Sequence, residues 1–90
     1  MDEFIERRRS DIAGRTADIL RELANDVNTE IVERQLHRIV GTAGSYGLMD
    51  GSRGAADLLA RVQDGHVFDL AAELITLAEV FARSADGGER

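Results

Sequence analysis

One histidine stands out in this chain because of the residues that follow it. His37 lies in the segment QLHRIVGTAGSYGL, residues 35–48, and glycines come after it at Gly41, Gly44 and Gly47. Glycine inside a helix is less favourable than alanine by about 1 kcal/mol, so these glycines need a separate reason. A neutral imidazole offers a nitrogen lone pair for attack on an electrophile. The pattern predicts a reactive His37 whose approach is kept clear of side chains.

The rest of the composition narrows the chemistry that His37 could perform. The chain has no cysteine, and His66, the other histidine, has no zinc-ligand spacing to His37. All 11 basic residues are arginine, which excludes a lysine nucleophile or Schiff base. A lone histidine without a base, a metal or an oxyanion hole is a poor hydrolytic site. A phosphoryl acceptor needs little else if a partner supplies the remaining groups, and we expect no metal site in this chain.

Two arginines flank the histidine and would favour an attached phosphoryl dianion. Arg38 follows His37 directly, and Arg34 precedes it by almost one helical turn. Adjacent helical residues point about 100° apart, so Arg34 has the better angular position. The sequence leaves open which arginine contacts phosphate.

Four amphipathic segments with short polar breaks must position these residues. We expect a first helix over Asp2 to Ala24 and a second from Thr29 to about Ser45. A third helix should follow a cap at Asp50 or Ser52 and end at a turn over Gln63–His66. A fourth helix should begin at about Phe68, and the tail from Ser84 to Arg90 should be frayed. Asn28 or Thr29 is the expected cap of the second helix, and Gly47 is expected to end it. Gly14 would be tolerated if another helix packs closely against it.

Each predicted helix has one apolar face. The expected inward residues are Ile5, Ile12, Thr16, Ile19, Leu20 and Leu23; Val32, Leu36, Ile39, Val40 and Ala43; Ala55, Ala56, Leu59 and Val62; and Phe68, Ala71, Leu74, Ile75, Ala78 and Phe81. No segment alternates with a period of two. The sequence therefore predicts an all-α fold, a single domain over residues 1–90 that forms an antiparallel up-down-up-down four-helix bundle.

The overall composition limits the partners and the location. With 43% hydrophobic and 31% charged residues, the chain has the composition of a globular domain. Its net charge of −6 argues against general nucleic-acid binding. Its apolar stretches are broken by charges, so no membrane span or secretory signal is expected. We expect a cytoplasmic monomer.

With these residues in place, the segment resembles the signature of histidine-containing phosphotransfer (HPt) domains of bacterial two-component phosphorelays. That signature has a reactive histidine, a glycine four residues on, a small pair and another glycine, which here are His37, Gly41, Thr42-Ala43 and Gly47. The chain length, helix order and position on the second helix also fit. One departure is Val40, which stands where many members carry a lysine.

The resemblance implies a phosphorelay carrier in signal transduction rather than an enzyme. His37 would accept a phosphoryl group from the aspartate of a response regulator receiver domain and pass it to another, through Nε2 by family analogy. The receiver would supply Mg²⁺, and this chain would bind no cofactor. Arg34, Arg38, Gly41 and Gly44 would stabilise or admit the phosphoryl group, while Tyr46 and Leu48 would form the docking surface. A hybrid histidine kinase is a further candidate partner.

Other interpretations of the same residues remain open. His37 could be a half-buried structural histidine, and Gly41 and Gly44 could serve close helix packing. Tyr46 could be a packing residue at the helix end, and His66 a loop or capping residue. The chain could then be a helical docking module for a receiver or kinase without phosphorylation, or an oligomerisation or adaptor domain unrelated to signalling.

Overall fold

The computed structural model describes residues 2–87, with side chains described from Arg7 to Ala85. This part of the chain forms four α-helices, namely α1 (Asp2–Asn25), α2 (Thr29–Ser45), α3 (Met49–Gln63) and α4 (Leu70–Gly87). Short connections make consecutive helices antiparallel, which confirms the all-α, up-down-up-down bundle. The molecule is elongated along the helices, with extents of 42 × 20 × 17 Å. Within the described residues, no helix is long and apolar enough to cross a membrane.

The four helices form two closely packed pairs. α1 lies along α4 and α2 lies along α3, whereas α1 and α2 make little contact with each other. The largest fully buried side chains come from all four helices and are Phe81, Leu20, Leu36, Leu58, Leu74 and Val32. Burial of such side chains is the main stabilising term for a domain of this size. The weak α1–α2 contact leaves an open groove between those two helices.

The ends of α2 are fixed by the residues that the sequence indicated. The Asn28 side chain accepts a hydrogen bond from the backbone N–H of Ile31 at 3.2 Å, so Asn28 is the N-cap. At the other end Gly47 has a φ of +75°. The N–H of Leu48 then donates to the Ala43 carbonyl, and that of Gly47 to the Gly44 carbonyl. This is a Schellman ending, and glycine suits its left-handed residue.

The start of α3 differs from the prediction. Neither Asp50 nor Ser52 is its cap, because α3 begins at Met49 with Leu48 as the N-cap and without a side-chain cap. The Schellman turn at Gly47 ends α2 so sharply that the next helix begins two residues later. Ser52 instead donates its hydroxyl to the Val40 carbonyl at 3.2 Å and ties α3 to α2.

Several residues predicted to point inward do not. Ala56 is exposed, and Phe68 is fully exposed because it precedes α4, which starts at Leu70. Ile19 and Ile75 are 40% and 39% exposed, so they lie at the edges of their apolar faces. The predicted inward position of Ile5 lies outside the described side chains.

The predicted frayed tail needs correction, and the condition under which Gly14 would be tolerated is not met. α4 continues to Gly87, so Ser84 to Gly87 are helical, and the Ala85 carbonyl accepts a hydrogen bond from the Ser10 hydroxyl. Residues 88–90 lie outside the described part of the chain. A Cβ placed on Gly14 would meet nothing within 4 Å, so no helix packs closely there.

Two glycines of α3 bring that helix close to α4. A Cβ on Gly51 would overlap Cζ of Phe81, and one on Gly54 would lie 2.8 Å from Cδ1 of Leu77. Both approaches are too close for real carbon atoms. At Gly51 the neighbour is the fully buried Phe81 ring, so glycine is required there, whereas at Gly54 it is the end of the flexible Leu77 side chain, which can shift. Nothing in the local sequence around either glycine indicates this contact.

Candidate functional site

His37 lies at the middle of α2, on its exposed side. The buried residues of this helix are Val32, Leu36, Ile39 and Ala43, and His37 is exposed. The imidazole therefore does not take part in the core, and the half-buried structural alternative is wrong. The 17-residue helix holds the ring on a rigid element rather than on a loop. The ring is open to a partner without any rearrangement of the fold.

Gly41 has no packing function within the described part of the chain. It is exposed, and a Cβ built on it would meet nothing within 4 Å. An exposed glycine inside a helix costs stability relative to alanine. The alternative of close helix packing is therefore wrong for Gly41. The absence of a side chain there leaves bare backbone one turn from His37.

Gly44 lies nearer to α3, but it too is not required by packing. A Cβ on Gly44 would lie 3.7 Å from the Ser52 hydroxyl oxygen, which is an ordinary van der Waals contact. Alanine would therefore fit at this position. The two glycines of α2 differ in this respect from Gly51, where an added Cβ would overlap the buried Phe81 ring of α4.

Arg34 and Arg38 are exposed, and neither makes an ion pair or hydrogen bond with the described residues. At about 100° per residue, Gly41 lies about 40° from His37 around α2, and Arg34 and Arg38 follow on the same side at about 60° and 100°. The helix therefore carries the imidazole, bare backbone and two available guanidinium groups on one exposed surface. The contact of either arginine with a phosphoryl group stays a prediction.

Other arginines of the bundle are engaged. Arg61 donates to Asp57 at 3.1 Å and to Glu73 at 3.2 Å, which ties α3 to α4. The hydrogen bond to Glu73 is the main reason that the pKa of Arg61 is raised above its ordinary value. Arg21 pairs with Asp18 at 3.3 Å. Arg34 and Arg38 have no acidic partner among the described residues, which they share with Arg15, Arg53 and Arg83, so it is their position near His37 that sets them apart.

Val40 is half-buried toward the bundle. Its backbone carbonyl accepts the Ser52 hydroxyl, so this turn of α2 is attached to α3. Val40 therefore faces the α3 side of the helix and supplies no cationic group beside His37.

The predicted docking residues have structural roles. Leu48 is only 5% exposed because the Schellman turn places it beneath the end of α2, so its assignment to an exposed docking surface is wrong. Tyr46 is partly buried, its hydroxyl accepts a hydrogen bond from Arg8 at 3.4 Å, and its carbonyl accepts one from Nε of Arg9 at 2.8 Å. These contacts hold the start of α1 to the end of α2, which supports the packing interpretation of Tyr46.

His66 is remote from this surface. It is exposed in the turn between α3 and α4, where its backbone N–H donates to the Arg61 carbonyl at 2.8 Å and completes a second Schellman ending at Gly65. Within the described residues, no group of three or more histidine, cysteine, aspartate or glutamate side chains could hold a metal ion.

The open groove between α1 and α2 could not be recognised from the sequence. Ile12, Thr16, Ile19 and Leu23 of α1 all read as core because they recur at helical spacing. In the structure Thr16 is buried, Ile12 and Leu23 are partly buried and only Ile19, at 40%, is exposed, so the apolar face of α1 is slightly wider than its contact with the bundle. That excess width was the signal available in the sequence.

Comparisons with protein-family models, curated proteins and solved structures find no match to this chain.

Proposed function

We propose that this chain is a histidine phosphocarrier of a two-component phosphorelay. The observation that supports this most is the combination of an exposed His37 with an exposed Gly41 that meets nothing within 4 Å. No contact within the described bundle explains a glycine at this costly position. A visiting molecule that must reach the imidazole does explain it.

The proposed step is phosphoryl transfer from an aspartyl phosphate of a receiver domain. A ring nitrogen of His37 attacks phosphorus, the N–P bond forms as the P–O bond breaks, and the aspartate carboxylate leaves with the electron pair. The other ring nitrogen can release its proton, which leaves a phosphorylated neutral imidazole. Mg²⁺ and the acidic pocket would belong to the receiver. The reverse sequence would pass the group to a second receiver.

The residues around His37 suit that step. Rigid placement on α2 satisfies the need for an aligned approach, which contributes much of the rate in such transfers. Arg34 and Arg38 are available to stabilise the added negative charge because no carboxylate of the described chain pairs with them. The chain lacks groups for the rest of the chemistry, so the proposal assigns catalysis to the receiver.

The test is incubation of the chain with a panel of ³²P-labelled receiver domains from the same genome. We expect at least one receiver to transfer its label to this chain. Receiver binding without label transfer would contradict the carrier and favour the docking module. The adaptor alternative would be favoured if no receiver bound at all.

The glycine argument predicts opposite effects on stability and on transfer. Gly41→Ala should raise the free energy of unfolding by about 0.5–1 kcal/mol, because open space surrounds the new Cβ and helix propensity improves. Gly41→Leu should leave the bundle folded but slow transfer by on the order of 10- to 100-fold, since the side chain obstructs approach to the ring. Urea unfolding and transfer kinetics measure the two effects. Unchanged transfer in Gly41→Leu would show that the steric explanation is wrong.

A further inference from the structure

Three apolar side chains are exposed at the end of the bundle that carries the α1–α2 and α3–α4 connections. These two connections lie at the same end because the helices alternate in direction. Phe68, in the α3–α4 connection, is fully exposed, while Val27 and Ile31, in and just after the α1–α2 connection, are 41% and 43% exposed. A single exposed apolar residue is ordinary, but three at one end of a small bundle indicate an interaction surface.

Phe68 has no role in the packing of the bundle. Its neighbours Val67 and Leu70 pack against the core, whereas the Phe68 ring does not. Because an aromatic side chain contributes to folding through the area that it buries, a fully exposed ring adds little to stability. The ring is open to a partner on both of its faces.

The same end carries carboxylates that lack a positively charged partner. All are exposed, and none forms an ion pair with a described residue; they are Glu22, Asp26, Glu30, Asp64 and Asp69. The nearest arginines of α1 and α3, Arg21 and Arg61, are already held by other carboxylates. These five carboxylates, with Val27, Ile31 and Phe68, are named here the acidic end.

The groove between α1 and α2 forms a recess at the acidic end. This opening of about 320 Å³ lies between the last two turns of α1 and the first two turns of α2. Leu23 and Ile31 supply apolar surface to it, and Glu22 and Asp26 supply carboxylates. Apolar surface beside a carboxylate suits a side chain with an aliphatic stem and a cationic head, which describes lysine and arginine.

The charge of the acidic end narrows the class of partner. A nucleic acid or an anionic lipid surface would be repelled. A second copy joined through the same end would place like charges face to face. A positively charged polypeptide would be attracted, and its ammonium or guanidinium groups could also lie over the exposed ring of Phe68.

We infer that the acidic end binds a basic amphipathic segment of another protein. Its apolar side chains would cover Phe68 and Ile31, and its lysine or arginine side chains would lie beside the carboxylates. This surface is separate from the one proposed for phosphoryl transfer, because His37 lies about 12 Å along α2 from its first residue, Thr29. The inference does not depend on the proposed function.

The experiment is titration of the isotopically labelled full chain with a synthetic amphipathic peptide of about 18 residues, with leucine on one face and lysine on the other. We expect amide NMR shifts in residues 22–31 and 64–69, and a Kd that rises with salt concentration. A second peptide with glutamate in place of every lysine is the control for charge, and it should not bind.

Two variants of the acidic end test its apolar and charged parts. Phe68→Ala should raise the Kd for the lysine peptide by about tenfold or more, because it removes the exposed aromatic ring. Asp26→Asn combined with Asp64→Asn should raise that Kd by about fivefold, because two negative charges are lost. Circular dichroism checks that each variant is folded.

Matched controls come from the opposite end of the bundle. Met49→Ala removes an apolar side chain that is 51% exposed. Asp11→Asn combined with Asp50→Asn removes two exposed carboxylates that form no ion pair with the described residues. Both control variants should bind the lysine peptide within about twofold of the original chain.

Several results would overturn the inference. They are the absence of shifts at the acidic end, equal binding of the glutamate peptide, and equal losses in Phe68→Ala and Met49→Ala. Concentration-dependent shifts at the acidic end in the chain alone would identify a second copy as the occupant. Phe68→Ala should also accept label from receivers at the original rate, and a slower rate would assign Phe68 to the receiver contact and contradict a separate surface.

Discussion

Replacing His37 with glutamine is expected to abolish label transfer from every receiver that labels the original chain. Glutamine keeps a polar side chain at an exposed helical position but has no nucleophilic ring nitrogen. Because His37 contributes nothing to the buried core, the free energy of unfolding should stay within about 0.5 kcal/mol. Transfer gels and urea unfolding measure the two quantities.

His66→Gln is the matched control for that variant. His66 is likewise an exposed histidine, but it lies in the turn between α3 and α4. The His66→Gln variant should therefore accept label at the same rate as the original chain. Residual label in His37→Gln, or equal losses in both variants, would assign the phosphoryl group to another residue and would contradict the proposal.

The largest expected effect on stability is at Gly51. A Cβ there would lie within 3.0 Å of three carbons of the Phe81 ring, which is fully buried and has little room to move. Overpacking of this kind costs about 1–3 kcal/mol, so Gly51→Ala should destabilise the bundle although alanine is the better helix former. Urea unfolding should show the loss as a lower midpoint with an unchanged slope.

A double-mutant cycle checks the cause of that loss. Phe81→Leu replaces the ring that the new Cβ would meet with a smaller side chain. Gly51→Ala should therefore lower the free energy of unfolding by less in the Phe81→Leu background than in the original chain. Additive losses would show that the packing explanation is wrong. Gly41→Ala, with an expected gain in stability, is the comparison that separates a glycine needed for packing from one that is not.

Most of the fold could be predicted because it depends on local patterns. The bounds of α2 agree with the prediction, since the Asn28 cap and the Gly47 ending are signals within a few residues. The requirement for Gly51 could not be predicted in the same way. It arises from Phe81, thirty positions later, and from the distance between α3 and α4. Such contacts exist only after the helices have packed.

The same distinction between local patterns and tertiary packing applies to the candidate site. The exposure of His37 could be predicted because it lies at the margin of the apolar face of α2. The burial of Leu48 could not, because it depends on how the Schellman turn directs the chain beneath α2. The exposure of Ile19 likewise depends on how far α1 and α2 separate in the bundle. Periodicity shows which residues share a face but not how much of that face a neighbour covers.

The most direct test of the central claim is to locate the phosphoryl group on the labelled chain. We predict that peptide mapping at alkaline pH places it on the imidazole of His37, and that the label is lost in acid and kept in alkali. A label on a serine, threonine or aspartate, or a phosphate that survives acid, would contradict the assignment of His37 as the phosphoryl acceptor.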